Sequence, residues 1–338
     1  MDLNRMLVTV GTHGEGQPTK VLLAGIPHFH GDTMKAKRDY IQKNYDFLRL
    51  ALCREPRGHN DQTAAIVTEP VSEQGDLGFI TMDTAGHWAD MSVSTAIAVV
   101  SVATQYGIIA VDKPETDVKL DTPSGLVSAK VRVKNGGVES VSIQNVPGFF
   151  VKSVKIDVPG LGAIPVDISF GGNFFGFVKS EDIGIKVAQT SSSKLAHIAI
   201  AIRDALNEQV SVVHPEWTYI NRIASVMIDD VPEHPDADVK SVCVFGEEGA
   251  YGIDRSPCGT GLTARMAMMY VRGQVKLDEY FCQESIVGTV FKGRLVGSKK
   301  VGDYDGMICE ITGSAHVTGV NIAVVDAHDP LRLGFSLT

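Results

Sequence analysis

Two stretches of the chain repeat one pattern, and that repetition limits the fold more than any other feature. Residues 91–107 read MSVSTAIAVVSVATQYG and residues 257–273 read PCGTGLTARMAMMYVRG. Each is a turn of small residues, an Ala-rich helical run and a closing glycine, glycine being a common helix stop. Aligning Gly107 with Gly273 sets Ser92 opposite Cys258 and Ala98 opposite Ala264. Both runs are apolar enough to be central helices wrapped by other structure. The rest of the chain supplies the wrapping: short Val- and Ile-rich segments without regular βαβ alternation, a mixed α/β pattern. At 338 residues and 44% apolar, the chain has material for two cores. The seam between them is expected around Gly136 and Gly137.

The balance of charge excludes some partners. The net charge is −9 and no Lys/Arg run stands out, so a phosphate backbone or an anionic membrane surface is repelled rather than attracted. The N-terminal MDLNRMLVTVGTHGEG has no basic stretch leading into an apolar run, and nowhere do about 18 apolar residues follow one another. The expectation is a soluble, cytoplasmic protein. Five cysteines, at 53, 243, 258, 282 and 309, form no CxxC pair, so neither a disulfide framework nor a zinc site is expected. Cys53, Cys243 and Cys309 lie in the apolar stretches LRLALC, SVCVF and GMICEI and read as packing thiols. His13 and His59 lack a second ligand at metal spacing, so no metal is assigned.

The segment IDRSPCGTGLTARMA carries the chemistry. Ser256 and Pro257 can open a helix, and Gly259 and Gly261 leave backbone N–H groups uncovered around the Cys258 thiol. Backbone amides and the helix dipole at such a turn hold a carboxylate, and the same positive end favours a thiolate. A thiol beside a carboxylate site suits removal of the proton next to that carboxylate. Asp254, four residues earlier, can fix the ammonium of an amino acid. The same residues also fit a structural helix start with a buried cysteine, and spacing alone leaves both readings open.

DRSPCGTG followed by an Ala-rich helix resembles the second catalytic motif of the proline racemase family. THGEGQPTKVLLAG at 12–25, EPRGH at 55–59, DTPSGLV at 121–127, FGGNFFG at 170–176, ESIVGTVFKG at 284–293, ITGSAHVTG at 311–319 and DPLRLGFSL at 329–337 follow in the family's order. The resemblance implies a diaminopimelate-epimerase-like fold: two similar α/β domains, each a strand barrel around a central helix, with the active site between them. It places the return of the chain at Asn321 to Thr338, giving domains of 1–136 with 321–338, and 137–320. It implies no pyridoxal phosphate, no metal or other cofactor, a small-molecule substrate that is proline or a hydroxyproline, and a homodimer.

The sequence departs from the racemase pattern at one place. Racemases of this family carry a second thiol in a motif like MCGH, whereas this chain has MSVS: Ser92 stands for the first cysteine, and Val93 and Ser94 replace the Gly and His that help hold substrate. A thiol titrates near ~8.5, while an alkyl hydroxyl stays protonated at neutral pH, so Ser92 is a poor base. Two-base racemisation suffers most from that exchange, and a one-base reaction need not. By resemblance the chain is expected to be a trans-3-hydroxy-L-proline dehydratase. Cys258 would be its acid/base and Ser92 a hydrogen-bonding partner, with Asp254, Gly259, Thr260, Val93 and Ser94 around the substrate. A 4-hydroxyproline 2-epimerase or proline racemase is the alternative, and a non-catalytic imino-acid binder is an alternative of another class.

Overall fold

A computed structural model describes residues 4–111, 113–247 and 250–336. The chain divides into two compact units, one made of residues 1–143 with 313–338 and the other of residues 144–312.

Unit 1 contains β1 (Arg5–Gly14), β2 (Gln17–Ala24), α1 (Met34–Tyr45), α2 (Phe47–Cys53), β3 (Thr63–Thr68), β4 (Leu77–Asp83) and α3 (Val93–Gln105). It continues with β5 (Glu115–Thr122), β6 (Gly125–Lys134) and β7 (Gly137–Gln144). β1 is central. It forms a hairpin with β2 through Glu15 and Gly16, both at positive φ (44° and 98°), as a two-residue turn with right-handed strand twist requires. β2 runs parallel to β3, β3 antiparallel to β4, β4 parallel to β5, and β5 antiparallel to β6.

Eleven residues of α3 are buried, from Val93 to Ala103, and β1, β2, β3 and β6 all pack on it. Its β-branched residues are indifferent helix formers, and burial on every side overrides that preference. Outside the strands, Leu48 and Leu52 of α2 and Ile41 of α1 share a core with Ile66 and Met82. Thr33 caps α1, its hydroxyl accepting from the Ala36 N–H at 3.0 Å.

Unit 2 contains β8 (Phe149–Val158), β9 (Gly162–Phe170), β10 (Phe174–Lys179), α4 (Ser180–Ile183), α5 (Ser192–Gln209), β11 (Ile223–Asp230) and β12 (Val239–Glu247). β13 (Ala250–Asp254), α6 (Gly259–Val271), β14 (Tyr280–Glu284), β15 (Val290–Val301) and β16 (Tyr304–Gly313) follow. The ladder β8–β9–β10 is antiparallel, β10 runs parallel to β11, and β11–β12–β13 is antiparallel again. α6 packs on β8, β9, β10 and β15, while α5 lies on β8, β11, β12 and β13.

The period of two along a strand divides the side chains between these two helices. Phe174 and Val178 of β10, Val226 and Ile228 of β11, and Val242 and Val244 of β12 belong to the α5 core. The residues between them, Phe175, Phe177, Met227 and Cys243, cluster instead with Cys258, Ala264 and Met268. Each unit is therefore a set of strands around one buried helix, the two-unit α/β architecture the repeat implied.

Gly136 is not a seam. Asn135 and Gly136 have φ of 52° and 79° and form the two-residue turn joining β6 to β7, so the chain runs on in unit 1 to residue 143. The return also begins before Asn321. β17 (Ala315–Val325) pairs antiparallel with β1 along its whole length, from Gly14↔Ala315 to Arg5↔Val325.

Candidate active site

Cys258 is the N-cap of α6, and its backbone sits in the left-handed region at φ 62°, ψ 86°. A residue with a Cβ is strained there and persists only where its surroundings hold it. The bonds on either side do so. Its N–H donates to Ser256 Oγ at 3.2 Å, and the Ser256 N–H and hydroxyl both donate to Asp254 Oδ1, at 2.8 and 2.7 Å.

Gln283 donates to the Pro257 carbonyl and accepts from Arg265 Nε at 2.7 Å. Arg265 in turn grips Asp229 with both terminal nitrogens, and the Ser241 hydroxyl donates to the same carboxylate at 2.7 Å. Gln283 and Arg265 are buried, so this chain of bonds fixes the turn from inside the protein.

Cys258 is 4% exposed, and its sulfur lies 3.8 Å from Thr260 Oγ1. A Cβ on Gly261 would fall 3.0 Å from Cys258 Sγ and 2.9 Å from Met227 Sδ, so a side chain there would crowd both sulfurs. The Leu262 N–H makes the bond to Cys258 O, at 2.8 Å. The N–H groups of Gly259, Thr260 and Gly261 precede that ladder and have no acceptor within the helix. The Cys258 side chain makes no cap bond to them. Three forward-pointing donors at the positive end of a helix can receive a carboxylate.

The FGGNFFG stretch forms the support beneath. A Cβ on Gly171 would lie 2.2 Å from the Thr260 carbonyl and 2.5 Å from the Ala264 nitrogen, so the turn meets α6 backbone to backbone. Phe174 and Phe175 are both core, Phe175 on the Cys258 side.

Ser92 occupies the same position in unit 1: it is the N-cap of α3, and both helices run for 13 residues after their caps. The local geometry differs. Ser92 is extended (φ −144°, ψ 119°), and its hydroxyl accepts from the Thr95 N–H at 3.4 Å, with Ser94 Oγ also at 3.4 Å. Val93 and Ser94 are buried in the first turn, the Ser94 carbonyl 2.8 Å from where a Gly14 Cβ would stand. Asp254 ends β13, opposite Cys243 in the ladder, with one carboxylate oxygen already bracing the Cys258 turn.

Several residues near the thiol carried no local sequence signal: Met227, Cys243, Arg265 and Gln283. Alternation within ASVMI and SVCVF puts Met227 and Cys243 on one face each, but only strand pairing reveals what they face. Burial pushes Cys53 and Cys309 well above the ordinary thiol range, which suits packing.

Arg57 donates to the Ala51 and Arg332 carbonyls and anchors a turn. His87 Nδ1 lies 3.2 Å from Asp83, Trp88 Nε1 donates to Asp46 at 3.0 Å, and the His13 and His316 rings lie 5.2 Å apart. Among the described residues no group of three or more His, Cys, Asp or Glu could hold a metal ion, and no helix is long and apolar enough to cross a membrane.

The family profile described as Proline racemase matches residues 9–336. A proline racemase of Acetoanaerobium sticklandii is 41% identical over the full length of both chains. A trans-3-hydroxy-L-proline dehydratase of Burkholderia ambifaria is 36% identical over 99% of each. Among solved structures, a hydroxyproline epimerase from Agrobacterium vitis with bound trans-4-hydroxy-L-proline superposes with a TM-score of 0.91 at 30% identity, covering 100% of this chain and 96% of that one. A PhzF-family phenazine biosynthesis protein of Bacillus anthracis, 12% identical over 94% of this chain and 98% of its own with a TM-score of 0.59, shares the fold alone. The chain belongs to the proline racemase family, whose members are racemases, epimerases and dehydratases.

Proposed function

We propose that this protein dehydrates trans-3-hydroxy-L-proline, with Cys258 as both base and acid. The carrying observation is the asymmetry of the two helix starts: the Ser92 hydroxyl caps its own helix, while Cys258 leaves the first-turn donors of α6 without a side-chain cap. A hydroxyl already used as a cap is a poor proton carrier, so chemistry that needs one base is favoured.

The stereochemistry of the substrate suits one base. At the α-carbon of this amino acid the hydrogen and the 3-hydroxyl lie on the same face of the ring. The Cys258 thiolate takes the α-proton, the C–H electron pair forms the C2=C3 double bond, and the C3–O bond breaks. The same sulfur returns its proton to the departing hydroxide, so water leaves and the thiolate is restored. The enamine product tautomerises to pyrroline-2-carboxylate. In this reading the N–H groups of Gly259, Thr260 and Gly261 hold the substrate carboxylate and receive the charge that develops on it. Asp254 attracts the ring ammonium, and Val93 and Ser94 shape the start of α3.

A second reading, proline racemase or 4-hydroxyproline 2-epimerase, is favoured by the 41% identity to the A. sticklandii racemase and the likeness to the A. vitis epimerase. Proton NMR in deuterated buffer separates the two, with trans-3-hydroxy-L-proline, trans-4-hydroxy-L-proline and L-proline in separate tubes. Pyrroline-2-carboxylate in the first tube alone is expected. Deuterium at the α-carbon with inverted product in the second or third tube contradicts the dehydratase reading. No change in any tube favours a binder without turnover.

A further inference from the structure

The strand that closes unit 1 leaves an edge of its own open. β17 pairs with β1 along one side, and among the described residues no other strand pairs with it. It reads AHVTGVNIAVV, 11 residues without a formal charge, and β1 beside it carries one, at Arg5. Val320, Ile322 and Val324, alternate residues on one face, are 62%, 63% and 53% exposed, and Met6, opposite Val324 on β1, is 65% exposed. A bare strand edge is a template for another chain, and proteins blunt such edges with charged side chains. β8, which among the described residues pairs along its length with β9 alone, is blunted in this way by exposed Lys152, Lys155 and Asp157. β17 has no such device.

We propose that the free edge of β17 is covered by the same strand of a second copy of this chain, antiparallel about a two-fold axis, so that the sheet of unit 1 runs on from one copy into the other. An isologous contact needs a surface that complements itself, and β17 is one. An axis at Ile322 sets Ile322 against the partner's Ile322 and Val320 against the partner's Val324. No other axis on the strand pairs all three apolar residues with one another. In β1, Val10, Val8 and Met6 stand opposite Val320, Ile322 and Val324, so apolar rows would cross four strands. One such row runs Val8, Ile322, the partner's Ile322 and the partner's Val8, with like side chains meeting directly across each strand pair. Charge selects the same place. A net charge of −9 opposes contact between copies, and β17 offers 11 residues where no charge stands in the way.

The test uses the intact protein and needs no substrate, so its failure leaves the proposed reaction untouched. Light scattering on gel-filtered protein is expected to give twice the 36.3 kDa mass of the chain. Ile322→Lys, at a position already exposed in the single chain, is expected to halve that mass with the circular dichroism unchanged; if it does not fold, Val320→Glu supplies the charge. Register is read by mild oxidation and non-reducing electrophoresis against wild type. Ile322→Cys, on the axis, is expected to form a disulfide between copies. Val320→Cys and Val324→Cys would each lie about 14 Å along the strand from its own copy, and are expected to link only after the two variants are mixed and allowed to exchange.

A monomeric wild type overturns the proposal, as does a dimer whose mass neither charged variant lowers. A dimer in which Ile322→Cys fails to link, or in which Val320→Cys links to itself, overturns it as well.

Discussion

At the scale of single residues, the site depends on one backbone conformation that a cysteine does not choose by itself. The left-handed φ of Cys258 is imposed by neighbours whose bonds converge on it from Asp254, Ser256 and Gln283. Gly261 leaves the space that the sulfur takes. Gly261→Ala puts a methyl group within 3.0 Å of Sγ. Overpacking of that kind costs about 1–3 kcal/mol, and the strain is shared between the thiol and the Met227 sulfur, 2.9 Å from the new methyl group. The expected outcome is a fall in kcat/KM of more than ~100-fold for a thiol moved off its proton, with only a few degrees lost in melting temperature. Paired kinetic and thermal measurements check it, and a variant that loses stability but keeps its turnover would show that the sulfur tolerates displacement.

At the scale of elements, α3 and α6 are the two centres, and the polar supports of α6 are buried. Asp229→Asn removes the counter-charge from Arg265, leaving a buried guanidinium uncompensated. Breaking a buried pair from one side costs about 3–5 kcal/mol, so the urea midpoint of unit 2 is expected to fall sharply. In unit 1, Asp46 joins α1 to α2; burial raises its carboxyl, but the bonds from Arg49 and Trp88 outweigh burial and hold it below the usual range. A depressed folded value means the stabilisation is present above the unfolded pKa of about 3.9 and is lost as pH falls through the folded value. Wild type and Asp46→Asn are therefore expected to differ in stability at pH 6 and to converge in strong acid, by denaturant titration at each pH.

The sequence made some elements legible and hid others. The two helix starts were readable to the residue, because small residues, an Ala-rich run and a closing glycine carry their own signal. Asn135–Gly136 carried an equally local hairpin signal, and reading the following Gly137 as a seam overlooked it. The conformation of Cys258 was hidden because nothing in its side chain favours positive φ, and Cys243 was hidden because alternation gives a face without naming what the face meets.

At the scale of the whole molecule, a chain of two units is closed by its last strand. β17 returns to pair with β1 along its whole length, with one register shift between Gly11 and Thr12, so unit 1 is completed by segments from both ends of the numbering. A chain ending at Thr312 leaves one edge of β1 without its ladder. Hydrogen exchange is expected to lose protection in β1 while β11 and β12, inside unit 2, keep theirs; protection of β1 in the shortened chain would contradict the account. The two units repeat one plan, yet the family's chemistry is proposed to rest on one of them, with the turn of Cys258 held by Asp254, Ser256 and Gln283 and Ser92 serving its own helix. That central claim is tested most directly by Cys258→Ser, which keeps the size of the side chain and removes the acidic thiol. Turnover of trans-3-hydroxy-L-proline is predicted to fall by at least ~1,000-fold with the melting temperature little changed, and turnover retained within ten-fold of wild type would contradict the account.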